Sequence, residues 1–129
     1  MLDSLPQIRL AFVGSGPYPI TALLVAERYP GAQLITCVDN NVVAFLLGRA
    51  VIAALGLPID SVFAEATDVD YGPFNVVVIA AMVRDKNDLV TQILCTSDAM
   101  VIARGTTHAA HERLIQMDAA FRDDGGMGR

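Results

Sequence analysis

The sequence predicts an α/β domain in which five parallel strands, in the order 3-2-1-4-5, lie between layers of helices. Three observations carry this. Short apolar runs alternate with helix-length segments along the chain. The first run ends in Gly14-Ser15-Gly16 and passes into a helix-length segment. The second run ends at an acidic residue, Asp39, 25 positions after Gly14. Strands that alternate with helices form parallel sheets with right-handed crossovers. In this strand order, ligands bind at the carboxyl ends of the strands, beside the switch point between strands one and four.

The first strand is Arg9 to Val13, a continuous apolar run of the kind buried on both faces. A helix from Pro17 to Arg28 follows, its prolines tolerated because first-turn N–H groups lack helical partners. Pro30-Gly31 stops it. Gln33 to Val38 forms the second strand, and Asp39-Asn40-Asn41 supplies N-cap chemistry for a helix over Val42 to Leu55. Gly56-Leu57-Pro58 ends that helix. Ser61 to Ala66 reads as the third strand, ending near Thr67-Asp68, and Tyr71-Gly72-Pro73 as a turn. Phe74 to Ala80, rich in β-branched residues, is the fourth strand. Asp85 to Thr96 is a helix, Ala99 to Ala103 the fifth strand, and His108 to Phe121 a last helix. Residues 1–122 thus form one domain, with the glycine-bearing tail 123–129 expected to be disordered.

Composition narrows the function. The chain has 129 residues, enough for one domain with a buried core. Its net charge is −5 and no lysines or arginines cluster, which argues against nucleic acid as a partner. No apolar run reaches the roughly 18 residues needed to span a bilayer; the longest, Val42 to Leu57, is interrupted by Gly48 and Arg49. The N-terminus shows no secretory pattern, so a cytoplasmic protein is expected. Cys37 and Cys95 lack a metal-binding or redox spacing and are expected to be reduced and buried. His108 and His111 stand three apart without a third ligand, so no metal site is expected. At 53% hydrophobic and 18% charged, the chain also carries apolar surface to hide in an oligomer or beneath a partner.

The candidate site residues stand at successive strand ends. Gly14, Ser15, Gly16 and Pro17 form a loop where backbone can approach a ligand closely. A dinucleotide fingerprint would place its third glycine at position 19. That residue is Pro19, which turns the reading from pyrophosphate toward an adenosyl or amino-acid group. Asp39 either accepts from both ribose hydroxyls, with Asn40 beside it, or caps the following helix; Asn40 and Asn41 are also available as caps. Asp68, with Thr67 alongside, either meets an adenine amine or is a solvated loop carboxylate. Ala80, Ala81 and Met82 leave room at the end of strand four for a flat ring or a reacting centre. Arg84 or Lys86 either meets a substrate carboxylate or starts a solvated helix.

The segment Phe12-Val13-Gly14-Ser15-Gly16-Pro17-Tyr18-Pro19-Ile20-Thr21 resembles the glycine loop of nicotianamine synthases and their bacterial metallophore relatives. The likeness continues through Val38-Asp39-Asn40, Val77 to Val83, Lys86, and faintly Arg104 to His108. The resemblance implies a Rossmann-like fold that binds S-adenosylmethionine and uses its aminobutyrate chain rather than its methyl group. An amine displaces methylthioadenosine, in transfer or in ring closure, and positioning is the main contribution because the sulfonium already leaves readily. Tyr18 is then the candidate for orienting or deprotonating that amine, the alternative being an aromatic packed over the loop. The acceptor is expected to be a small-molecule amine or amino acid.

The chain also departs from that family. Its members carry a helical N-terminal domain over the substrate cavity, a cover not expected here because strand one begins near residue 9, and the expected sheet is truncated relative to the seven-stranded methyltransferase sheet. The fifth strand, apolar yet expected at an edge, implies that another copy or another polypeptide covers it, or that the chain is a fragment. Two further readings stay open on this fold: methyl transfer, releasing S-adenosylhomocysteine, and a non-catalytic cofactor-binding or partner subunit.

Overall fold

A computed structural model of the chain describes residues 7–105. The helix expected over His108 to Phe121, the histidine pair and the tail 123–129 lie outside the described residues. β1 (Arg9–Val13), β2 (Leu34–Asp39), β3 (Asp60–Phe63), β4 (Val76–Ile79) and β5 (Met100–Ala103) form one sheet. Every pairing is parallel, in the order β3-β2-β1-β4-β5. This is the predicted Rossmann-like α/β topology. Register sets Phe12 against Cys37 on one side and Val78 on the other.

Alternation along the central strands divides the core in two. Leu10, Phe12, Ile35, Cys37, Val76 and Val78 pack beneath α1 (Ile20–Arg28) and α2 (Val42–Leu55). Ala11, Val13, Val77, Ile79 and Val101 face α3 (Lys86–Thr96). The two-residue period of a strand, applied to continuous apolar runs, makes both faces core.

Several boundaries differ from expectation for local physical reasons. α1 begins at Ile20, not Pro17, because Tyr18 precedes a proline and is driven out of the helical region. β3 ends at Phe63 rather than Ala66: after Ala64 N–H bonds Asp39 C=O at 3.0 Å, the chain turns into a short 3-10 turn, Ala66–Asp68. β4 starts at Val76, not Phe74, since Phe74 N–H closes a turn on Tyr71 C=O. α2 runs as predicted, with Asn41 as its N-cap (Oδ1 accepting from Ala44 N–H at 3.0 Å) and Gly56 in the left-handed conformation after its end.

One expectation about burial changes. Cys37 is buried, but Cys95 is exposed on α3. β5 stands at a sheet edge, yet Val101, Ile102 and Ala103 have buried side chains. Exposed apolar side chains are also found at the opposite edge. Val42, Val43, Leu46, Leu47 and Leu55 of α2, with Val62 and Phe63 of β3, are all exposed. Among the described residues, no helix is long and apolar enough to cross a membrane.

Candidate functional site

The order reversal between β1 and β4 opens a crevice at the carboxyl ends of the strands. A cavity of about 870 Å³ occupies it. Gly14, Gly16, Pro17, Asp39, Asn40, Thr67 and Met82 line it, as anticipated for a binding site. Ser15, Tyr18, Asp68, Ala80 and Ala81 are not among the lining residues; Tyr18 is 59% exposed. Ser15 turns away toward the buried Cys37 thiol and hydrogen-bonds it. Burial pushes that thiol up to about 12, with Asp39 adding to the rise and Ser15 opposing it.

The loop is held by its own N–H groups. Those of Gly14 and Ser15 both donate to Val38 C=O, at 2.8 and 3.2 Å. Gly16 N–H donates to Asp39 Oδ2 at 2.8 Å. Pro17 and Pro19 have no N–H, and Ile20 N–H turns back to Tyr18 C=O at 2.8 Å. Phosphate sites at glycine loops work by aiming free N–H groups at the anion. Here the N–H groups of all three loop residues are engaged within the chain, which disfavours a pyrophosphate for a reason additional to Pro19.

Gly14 also marks a close approach. Its φ is +74°, and a Cβ there would lie 2.5 Å from Val83 Cγ2 and 3.4 Å from Ala80 Cβ. Ala80 N–H bonds Val13 C=O at 3.0 Å, fixing the end of β4 against the loop. Lys86 Nζ donates to Ala81 C=O, so this lysine braces the turn after β4.

Asp39 is not the cap of α2. Its second oxygen accepts Asn41 N–H at 2.9 Å, so the carboxylate joins the glycine loop to the start of α2 while Asn41 does the capping. A carboxylate offers about four acceptor directions, and two backbone donors leave room for hydroxyl donors as well. Asn40 Nδ2 donates to Glu65 Oε2 at 3.1 Å, tying the end of β2 to the segment after β3. Across the cavity, Gln92 Nε2 of α3 donates to Thr67 C=O at 2.9 Å.

Sequence reasoning missed Glu65, Asp85 and Asp88, which also line the cavity, and considered Arg84 only for a carboxylate. Their signal was position after strands three and four. With Asp39 they place four carboxylates against one guanidinium around the cavity, a field that favours a cationic ligand. Asp85 adopts the left-handed conformation, φ +55°, directly before α3. Among the described residues, no group of three or more His, Cys, Asp or Glu is arranged to hold a metal ion.

Comparison with known proteins bears on family and fold. The family model described as nicotianamine synthase protein matches residues 1–119. No curated protein matches the chain. A variant of MtNAS, solved in complex with S-adenosylmethionine, is similar over 75% of this chain, with 26% identity and a TM-score of 0.66. MtNAS in complex with MTA and tNA matches at the same identity and TM-score. The chain spans only 38% of the MtNAS variant's length. An RNA methyltransferase from Salinibacter ruber, in complex with S-adenosyl-L-homocysteine, gives a TM-score of 0.64 at 15% identity, covering 74% of this chain and 63% of its own. That likeness concerns the fold.

Proposed function

The chain belongs to the nicotianamine synthase family, and from that premise we propose that it binds S-adenosylmethionine in the switch-point cavity and transfers or cyclises the aminobutyrate group, releasing methylthioadenosine. The observation that carries the reading is the pairing of a glycine loop whose own N–H groups are engaged with a cavity whose charged lining is four carboxylates against one guanidinium. A loop of that kind suits a cationic adenosyl ligand better than a phosphorylated one.

On this reading Gly14, Gly16 and Pro17 present backbone to the ligand, and Asp39 receives the ribose hydroxyls on its unused acceptor directions. Thr67 and Met82 border the base and the reacting end. S-adenosylmethionine supplies an electrophilic carbon and a sulfonium leaving group. The chain's own task is to hold an amine in its neutral form and in line with that carbon. The amine nitrogen forms the new bond, the carbon–sulfur bond breaks with its electron pair on sulfur, and the amine's proton passes to a base. Tyr18, on the loop just outside the cavity lining, is the candidate for orienting or deprotonating the amine.

The experiment is incubation of the purified protein with S-adenosylmethionine, with and without candidate amines, followed by mass spectrometry. Methylthioadenosine supports the reading, whereas S-adenosylhomocysteine assigns methyl transfer instead. Binding of S-adenosylmethionine without turnover would instead select a cofactor-binding subunit.

The same reading takes a second copy of the chain to cover α2 and β3. Isolated exposed apolar residues are ordinary, but seven on one helix and its neighbouring edge strand suit an interface. α2 carries a single charged residue, Arg49, in a chain of net charge −5, so two copies meeting there bring no α2 carboxylates together. Val43 and Leu47 belong both to the patch and to the cavity lining, so the second copy also narrows the mouth.

A further inference from the structure

Glycine is among the least helix-favouring residues, and Gly48 stands in the middle of α2. No left-handed backbone conformation requires it there, since its φ is not among the positive values. With Ile52 it is one of the two buried residues of the helix. The reason for a glycine is space. A Cβ at Gly48 would lie 3.0 Å from Gly16 C=O, 3.7 Å from Pro19 Cδ and 3.9 Å from Pro17 C=O.

Two of these three atoms are backbone of the glycine loop, and the loop cannot simply yield. Gly16 N–H is held by Asp39 Oδ2 at 2.8 Å, while Gly14 and Ser15 are tied to Val38 C=O. Pro17 has a fixed φ. Gly16 is therefore gripped through its N–H by the end of β2 and backed at its carbonyl by the bare backbone of α2. Gly48 is absent from the cavity lining, whereas Gly16, Pro17 and Ala44, one helical turn before Gly48, are part of it.

We propose that Gly48 is a positioning residue: its missing side chain sets the depth at which the Gly16–Pro17 segment rests against α2, and thereby the shape of the cavity. The proposal rests on the reading that this cavity holds S-adenosylmethionine. An added methyl group moves the loop by a few tenths of an ångström, because the contact is tighter than a Cβ ordinarily makes.

The test compares Gly48→Ala with Ala50→Gly, a change on an exposed position of the same helix. Calorimetric titration with S-adenosylmethionine is expected to show affinity lowered about tenfold in Gly48→Ala, in line with the cost of small misplacements at a binding site, and unchanged in Ala50→Gly. Hydrogen exchange at the Gly16 amide is expected to speed up only in Gly48→Ala, a readout that a purely helix-stabilising role does not move. Affinity within twofold of the parent, or an unchanged Gly16 amide, overturns the proposal. If the parent protein binds no S-adenosylmethionine, the functional reading fails while the Gly16 exchange still decides the geometry. Should Gly48→Ala not fold, the added Pro17→Gly, which frees the adjoining peptide to move aside, is expected to restore folding; no rescue overturns the proposal.

Discussion

Asp39 accepts a hydrogen bond from the backbone N–H of Gly16 at 2.8 Å, so the carboxylate at the end of β2 clamps the loop that follows β1. Its other oxygen accepts Asn41 N–H. Asp39→Ala removes both acceptors and is expected to lower stability by about 1–3 kcal/mol, the cost of leaving such donors unmet. It is also expected to abolish measurable binding of S-adenosylmethionine. Asp39→Asn keeps one carbonyl acceptor and should fall between. Urea unfolding together with calorimetric titration separates the two effects, and affinity equal to the parent's in the folded fraction would remove Asp39 from the ligand site.

Gly14→Ala places a methyl group 2.5 Å from Val83 Cγ2 at a φ of +74°. Left-handed backbone at a residue with a Cβ costs on the order of 1–3 kcal/mol, and the contact adds to it. Val83→Ala in the same chain relieves the contact but not the backbone strain. Thermal unfolding should therefore show partial recovery in the double variant. Full recovery would mean the conformation itself is cheap.

Cys37 and Tyr71 make stability fall at alkaline pH. Burial pushes the thiol from 9.0 up to about 12 and the phenol from 10.0 up to about 12. Above pH 9 the unfolded chain releases protons that the folded chain retains, so ΔG of unfolding decreases as pH rises toward 12. Below pH 9 the contribution is fully present. Urea midpoints are expected to be alike at pH 7 and 8 and lower at pH 10, with Cys37→Ala declining less between 8 and 10. In the native protein at pH 8, a thiol reagent should label the exposed Cys95 and spare Cys37.

Tyr18→Phe tests the proposed role on the amine. If the hydroxyl orients or deprotonates it, turnover falls about a hundredfold, the lower end for a general base, while affinity for S-adenosylmethionine holds. Undiminished turnover would make Tyr18 a loop aromatic only, in keeping with its exposure.

Leu46→Glu tests the second copy, on an exposed α2 residue outside the cavity lining. The parent is expected to sediment as a dimer at micromolar concentration and the variant as a monomer. A parent that stays monomeric, or a variant that stays dimeric, counts against α2 as the contact.

Much of the fold was legible in the sequence because it depends on local signals. Continuous apolar runs such as Arg9 to Val13 and Val76 to Ile79 must be buried on both faces, and strand–helix alternation then dictates a parallel sheet. Asn41 and Gly56 bounded α2 through backbone chemistry that acts over three or four residues. The strand-end rule likewise places Gly14, Gly16, Asp39 and Thr67 around one crevice. What only the tertiary structure decided is partnership between residues distant in the chain. Whether Asp39 serves as a cap or a clamp depends on where Gly16 N–H points, across 23 positions. The carboxylates of Glu65, Asp85 and Asp88 share a cavity only because β3 and β4 flank the β1–β2 pair. Gly48 reads locally as a flaw in a helix, and it becomes intelligible only when the carbonyl of Gly16 is found 3.0 Å from where its side chain would begin. Hydrogen bonds and van der Waals contacts act over a few ångströms, and which atoms come that close is settled by the fold as a whole.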